Sequence, residues 1–295
     1  NGVMIWTDPN TLVTPTTTIF ANTSGVTSNE NGTYATDDFV FGSPQLADNG
    51  NTANDNRFFF DKSKAAFRAG SVTGTQWDDA NIGNRSTAMG FGTKASGATS
   101  IAMGASTTAS GTVSTAMGSG TIASGQYSTA MGDYTKATGS KSTAMGNDTE
   151  AYGVTSTAMG KGTTASGTST TAMGDGTTAS GYYSTAMGKE TTAFGQYSTA
   201  MGETTFASGE YSTSMGRYTQ AIGTGSTAMG IGTEAIGATS TAMGYITKAP
   251  SYAETAVGLY NTTYTPASAT NWIAADRLFV VGNGTGSSAL SNALT

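Results

Sequence analysis

Between residues 86 and 258 the small, polar and apolar positions repeat every fourteen residues, and each repeat holds two similar halves. In the first coil Ser86-Thr87-Ala88-Met89-Gly90 is followed by Phe91-Gly92, and Thr93-Lys94-Ala95-Ser96-Gly97 by Ala98-Thr99. Both halves read small hydroxyl, variable, Ala, variable, Gly, then two further positions. Alternation with period two over five residues predicts a short strand, and Gly with its two followers predicts a tight turn. One coil therefore reads strand, turn, strand, turn.

Methionine marks the period. Met89, Met103, Met117, Met131, Met145, Met159, Met173, Met187, Met201, Met215, Met229 and Met243 lie 14 residues apart, each followed by Gly, and Val257 takes the next place. Only Met4 stands outside the series. Coils of equal length without insertion are the mark of a repeat architecture. A helix is disfavoured because two glycines per coil each cost about 1 kcal/mol relative to Ala. Fourteen residues are also two heptads, but the seam of such a coiled coil would hold Ala, Gly and Ser instead of Leu, Ile and Val.

In a solenoid whose coils pair about 4.8 Å apart, equivalent residues stack in columns. The columns headed by Ser86, Ala88, Gly90, Thr93, Ala95 and Gly97 hold small side chains, and Thr93 repeats as Thr down to Thr247. Only such residues fit inside so thin a coil, which predicts that this parity faces inward. The opposite parity differs between the two strands. On strand one the Thr87 and Met89 columns hardly vary. On strand two one column runs through Lys94, Thr108, Ile122, Lys136, Glu150 and Phe206, and another includes Ser96, Tyr152, Phe194, Ile222 and Pro250. The first face is expected to be packed and the second solvated. An outward Met column makes a ridge about 60 Å long, which is expected to be covered by copies of the chain related by a cyclic axis parallel to the rod. The alternative places Met in the roll's own core, with Ser and Ala outside.

Composition supports a repeat over a globular domain or a disordered chain. Charged residues are 11% and glycines number 41 of 295, but the small residues are strictly spaced. The net charge is −6; residues 1–80 carry nine acids and four bases, whereas residues 81–257 carry nine and eight. No basic stripe offers to neutralise phosphates, so no nucleic-acid partner is expected. The chain has no Cys and no His, which removes thiol nucleophiles, disulfides, the usual zinc ligands and the commonest general base. No catalytic residue, metal or cofactor is expected. Neither a run of about 18 apolar residues nor a signal peptide is visible, so no membrane insertion is expected in this segment, and any anchor is expected to lie elsewhere.

The motif Ser-Thr-Ala-Met-Gly-x-x-Thr-x-Ala-x-Gly-x-x resembles the head repeat of YadA-type trimeric autotransporter adhesins; Thr87 and Met89 stand where that family usually has Val and Ile. The resemblance covers about 180 residues. It implies an all-β, left-handed parallel β-roll of 14-residue coils, set side by side as a homotrimer with the apolar residues of strand one toward the axis. It further implies a structural, non-enzymatic head at the bacterial cell surface that attaches to cells, extracellular matrix or other surfaces. The flanking segments 56–64 and 276–285 resemble bacterial surface or tail-fibre proteins that embed this repeat in longer fibres. A receptor-binding fibre segment of a phage or contractile injection system is accordingly the alternative. An ice-binding solenoid using the Thr87 column is a further one. A polysaccharide-cleaving β-helix is disfavoured because Asp133, Glu150, Asp175, Glu203 and Glu234 are scattered.

Three parts are expected: residues 1–80 as a β-rich cap or small domain, 81–257 as the roll, and 258–295 as an exit segment with a strand near Leu278–Val281. The apolar runs Phe39-Val40-Phe41 and Phe58-Phe59-Phe60 read as strands. Tyr127, Tyr183, Tyr197 and Tyr211 share a column at the second turn, the last three on successive coils. With Tyr182, Phe194 and Phe206 nearby, Tyr183, Tyr197 and Tyr211 form a candidate ligand-contact patch, since exposed aromatics are favoured at binding hot spots. The other reading is a ladder that stiffens the stack or packs between rolls. The acid pairs Asp37-Asp38 and Asp78-Asp79 lack the spacing of a calcium loop, and Gly282-Asn283-Gly284-Thr285-Gly286 lacks the Lys and helix of a phosphate loop.

Overall fold

A computed structural model describes residues 56–295, together with strand backbones at 21–23, 26–28 and 39–42. Met4 and Asp37-Asp38 lie outside the described residues. Strands β1 (Ala21–Thr23) and β2 (Val26–Ser28) form an antiparallel pair, and β3 (Phe39–Gly42) pairs antiparallel with β4 (Asn56–Asp61). Strand β4 pairs with β5 (Ala66–Ser71), after which the chain enters a parallel β-solenoid.

Each coil contributes a five-residue strand to one sheet and a two-residue strand to a second, running from β6 (Thr87–Phe91) and β7 (Lys94–Ala95) to β29 (Lys248–Ala249) and β30 (Thr255–Leu259). Neighbouring coils are in register throughout, so Thr157 lies beside Thr171, Ala158 beside Ala172, Met159 beside Met173 and Gly160 beside Gly174. The backbone ladder thus carries the repeat from coil to coil without slip.

The interior is as thin as the column pattern requires. The alanines of both strands are fully buried from Ala88 to Ala256, and the Ser86 and Thr93 columns are buried with them. The Met alternative for the core is excluded, because Met89, Met103 and Met243 are 36–39% exposed and the other repeat methionines are half-buried. Glycine is required at the two corners of the coil: a Cβ on Gly160 would overlap the carbonyl oxygen of Gly174, and one on Gly153 that of Gly167.

Two features depart from the expected local structure. The second strand spans two residues instead of five, because after Ala109 pairs with Lys94-Ala95 its carbonyl accepts from both Ser96 N–H (3.0 Å) and Gly97 N–H (3.1 Å). That shared bond bends the chain out of the ladder. The last turn position is left-handed even where the residue is bulky, as at Lys141 (φ 58°) and Tyr183 (φ 57°). The inter-coil bonds there, such as Tyr183 N–H to Thr168 C=O at 3.0 Å, offset a conformation that L side chains otherwise avoid.

Both open ends are closed by inward polar side chains. At the first end Arg68 takes the Ala88 column and is fully buried; its guanidinium donates to the carbonyls of Phe67 (2.8 Å), Ser86 (3.0 Å) and Ala95 (3.0 Å). Burial pushes its pKa down to about 10, opposed by nearby Asp61, so it stays charged at neutral pH. Trp77, also buried, donates its indole N–H to Thr93 C=O at 2.9 Å. At the far end β31 (Phe279–Asn283) continues the first sheet in parallel, and β32 (Asn292–Leu294) ends it antiparallel. Asn261 occupies the Thr column and bonds both Lys248 N–H and Lys248 C=O, while buried Glu254 pairs with Arg277 at 2.6 Å. Inward charges of this kind stop further coils from stacking on a sheet edge.

Candidate interaction surfaces

The first surface is the outer side of the five-residue strands. Period-two alternation sends Thr and Met outward from each strand, and perfect register stacks them into two parallel columns. The Met side chains stand free of the roll's core, only half covered by their neighbours. The caps prolong this surface, since Phe67 and Ala69 align with Thr87 and Met89 at one end and Phe279 and Val281 with Thr255 and Val257 at the other. All twelve repeat methionines from Met89 to Met243 therefore lie on one continuous apolar face.

The second surface combines the two-residue strands and the second turn. Here Tyr183, Tyr197 and Tyr211 form a stacked ladder with ring centroids 5.1 and 5.0 Å apart and planes within 2°. Coil spacing and ring spacing match, so the ladder is a direct product of placing Tyr on three successive coils. Tyr182 (58% exposed), Phe194 (63%) and Phe206 (38%) lie on the same side of the roll, but among the described residues no ring contact joins them to the ladder. Tyr127 stands alone in the ladder column, between Val113 and Lys141.

Charged ladders also run along the roll, and they were not singled out from the sequence. At the first turn Glu203 lies between Lys189 (3.8 Å) and Arg217 (3.2 Å), and Asn147 donates to Asp133 at 3.1 Å. On strand two Lys136 meets Glu150 at 2.7 Å and Lys248 meets Glu234 at 2.8 Å. The hydrogen bond from Lys136, followed by one from Tyr152, lowers the Glu150 pKa, and the same bond raises that of Lys136. The signal was present as opposite charges 14 residues apart, which only the stacked register turns into neighbours. Such exposed pairs contribute about 0–1 kcal/mol each.

A cleft of about 540 Å³ lies where the exit segment folds over the last coils, walled by Ile236, Ile246, Pro250 and Leu290 with the Lys248–Glu234 pair at its side. Its charges already neutralise each other, and the Asn261 amide is engaged by the Lys248 backbone. Asp79 pairs with Lys64 at 2.7 Å on the surface. Among the described residues no group of three or more acidic side chains is placed to hold a metal ion, and no helix is long and apolar enough to cross a membrane.

Comparison with protein families gives one result. The model of the YadA head domain repeat (2 copies) matches at residues 82–107, 95–121, 109–135, 137–163, 151–177, 165–191, 193–219 and 221–245, together more than half of the chain. No curated protein matches the chain.

Proposed function

The chain belongs to the YadA head domain repeat family, and from that membership we propose that it is the binding head of a homotrimeric bacterial surface adhesin, with the twelve methionines from Met89 to Met243 at the trimer interface. Three rolls stand side by side, and the surfaces turned away from the axis attach to cells, matrix or other surfaces outside the cell. The stretch from residue 81 to 257 is the working roll, with residues 1–80 and 258–295 as its end pieces.

The observation that carries this reading is the outward Met column. Roughly a third of each Met side chain is still in contact with water at the positions with the highest exposure. Covering that remainder contributes about 0.5–1 kcal/mol per coil, a fraction of the full transfer value. Summed along the roll, that term matches the about 4–15 kcal/mol that association costs in translational and rotational freedom. A single coil would not hold copies together, whereas an uninterrupted column does.

Light scattering on the purified protein tests the assembly. Chains of 29.6 kDa should give a particle of three times that mass, independent of dilution over the micromolar range. A particle with the mass of one chain would overturn the proposed interface. Adhesion is tested by binding of the protein to immobilised matrix and to cell monolayers, where absence of retention on every surface would remove the adhesin reading.

A further inference from the structure

The tyrosine ladder stops abruptly, and its last ring has an open face. Tyr211 is followed one coil later by Gly225, which has no side chain, and two coils later by Thr239. A Cβ built on Gly225 meets only Thr239 Cγ2, at 3.6 Å, so the space beneath Tyr211 is empty where another ring would stand. The middle ring, Tyr197, is 43% exposed, while Tyr211 is 57% exposed. From Tyr211 to Thr239 is two coil spacings, about 9.5 Å, which admits one planar group and not two.

The chemistry beside the notch is acidic. The Glu210 carboxylate is hydrogen-bonded to the Tyr211 hydroxyl and raises its pKa along with desolvation, the larger cause. Among the described residues Glu210 has no cation within ion-pair distance. Beyond Lys141 the two columns of the second turn contain no basic residue at all.

The molecule shows elsewhere what such a pair lacks. At the first turn Arg217 lies 4.8 Å over the Tyr218 ring while its Nε reaches Glu203 at 3.2 Å. In the exit segment Arg277 lies 4.7 Å over Tyr264 and pairs with Glu254. In both places a guanidinium joins one tyrosine face to one carboxylate. At the second turn the tyrosine and the carboxylate are present, and the coil that would supply the cation offers Thr224 and Gly225.

We propose that the notch at Gly225, between Tyr211 and Thr239 and beside Glu210, is a binding site for an arginine side chain of a protein partner. The guanidinium slides flat against the open face of Tyr211, extending the ladder by one planar group, and directs an N–H edge to the Glu210 carboxylate. Planarity selects Arg over Lys, because an ammonium neither fills a slot one plane thick nor donates along a fork. The carboxylate selects a cation over a neutral ring. This names a partner class for the adhesin head and rests on the adhesin reading for its biological sense, though not for its chemistry.

The test uses the full chain and immobilised Ac-Gly-Arg-Gly-amide, with the lysine, citrulline and phenylalanine versions of that peptide and a neutral pyranose as competitors. The arginine peptide should bind about threefold to tenfold more tightly than the lysine or citrulline versions. Gly225→Tyr fills the slot with a fourth ring; tyrosine already occupies the same left-handed turn position at Tyr211 (φ 57°), so the fold tolerates it. That variant should abolish arginine selectivity, and Glu210→Gln should equalise arginine and citrulline. Equal binding of all peptides, preference for the pyranose, or indifference to Gly225→Tyr would each overturn the assignment. Retention of adhesion by Gly225→Tyr with loss of arginine binding would show that the site exists but does not carry attachment. If the chain adheres to no surface yet binds the arginine peptide in this notch, the adhesin reading falls and the site stands.

Discussion

The two faces of the roll obey different rules although they are built from the same chain at the same spacing. The strand-one face repeats Thr and Met in nearly every coil, whereas the strand-two face accepts Lys, Thr, Ile, Glu, Phe and Gln in a single column. Both have an identical inner lining of alanine, so the core does not explain the difference. Length of strand explains part of it: five residues per coil make a wide, flat sheet, and two residues per coil make a narrow edge between turns. A flat sheet can be covered along its whole length by another flat sheet, and a surface meant for that purpose must present the same side chain at every level. The narrow side is left to vary, which is what a surface that recognises something outside needs.

The largest effect that separates the faces should come from a charge placed in one coil on either side. Met159→Glu should break the assembly or unfold the roll, because an unpaired charge in a dry interface has no partner. Ser166→Glu, on the opposite face of the same coil, should leave the molar mass in light scattering unchanged. Equal masses for both variants would erase the distinction between the faces.

Next in size is the cap. Arg277→Met leaves Glu254, which is fully buried, without its cation, and unfolding in urea should show a loss of about 3–5 kcal/mol. An undiminished midpoint would mean that the far end of the roll is closed without the ion pair. Smaller again is the cost of a methyl group at a corner: Gly153→Ala should lower stability by about 1–3 kcal/mol, since its Cβ meets backbone and not a yielding side chain. Ser166→Ala in the next coil should stay within about 0.5 kcal/mol, measured in the same titration.

The smallest expected effect concerns the ladder ion pair Lys136–Glu150. Lys136→Met should cost under about 1 kcal/mol, discounted because both side chains touch solvent. The Glu150 pKa is lowered in the folded chain, so its contribution is present above the ordinary carboxylate value, about 4.3, and is lost as pH falls through the lower folded value. The gap in thermal midpoint between parent and variant should therefore hold at neutral pH and close on acidification. A gap that persists in acid would assign the effect to packing of the lysine stem.

Much of this architecture was legible because the repeat reports its own geometry. Met159 at the same phase as eleven others implied equal coils, and small residues at Ala158 and Ala165 implied a lining too thin for anything larger. The tyrosines at 183, 197 and 211 announced a ladder by being 14 apart. The short second strand was not legible, since Thr93-Lys94-Ala95-Ser96-Gly97 alternates as well as its partner half and only the shared bond to the Ala109 carbonyl shows where pairing ends. The roles of Arg68, Glu254 and Asn261 were hidden for a related reason. Each breaks a column, and a broken column reads the same whether the residue turns outward or plugs the end.

By itself the sequence determined the period, the parity and the alanine lining, because these follow from local alternation repeated without error, and each coil is dictated by its neighbours alone. Only the tertiary structure decided which faces are flat, where the end coils are sealed, and that the Tyr211 ring is left uncovered beside an unpaired carboxylate. Those properties depend on what stands one coil above and below, a distance of 14 residues along the chain and about 5 Å through space.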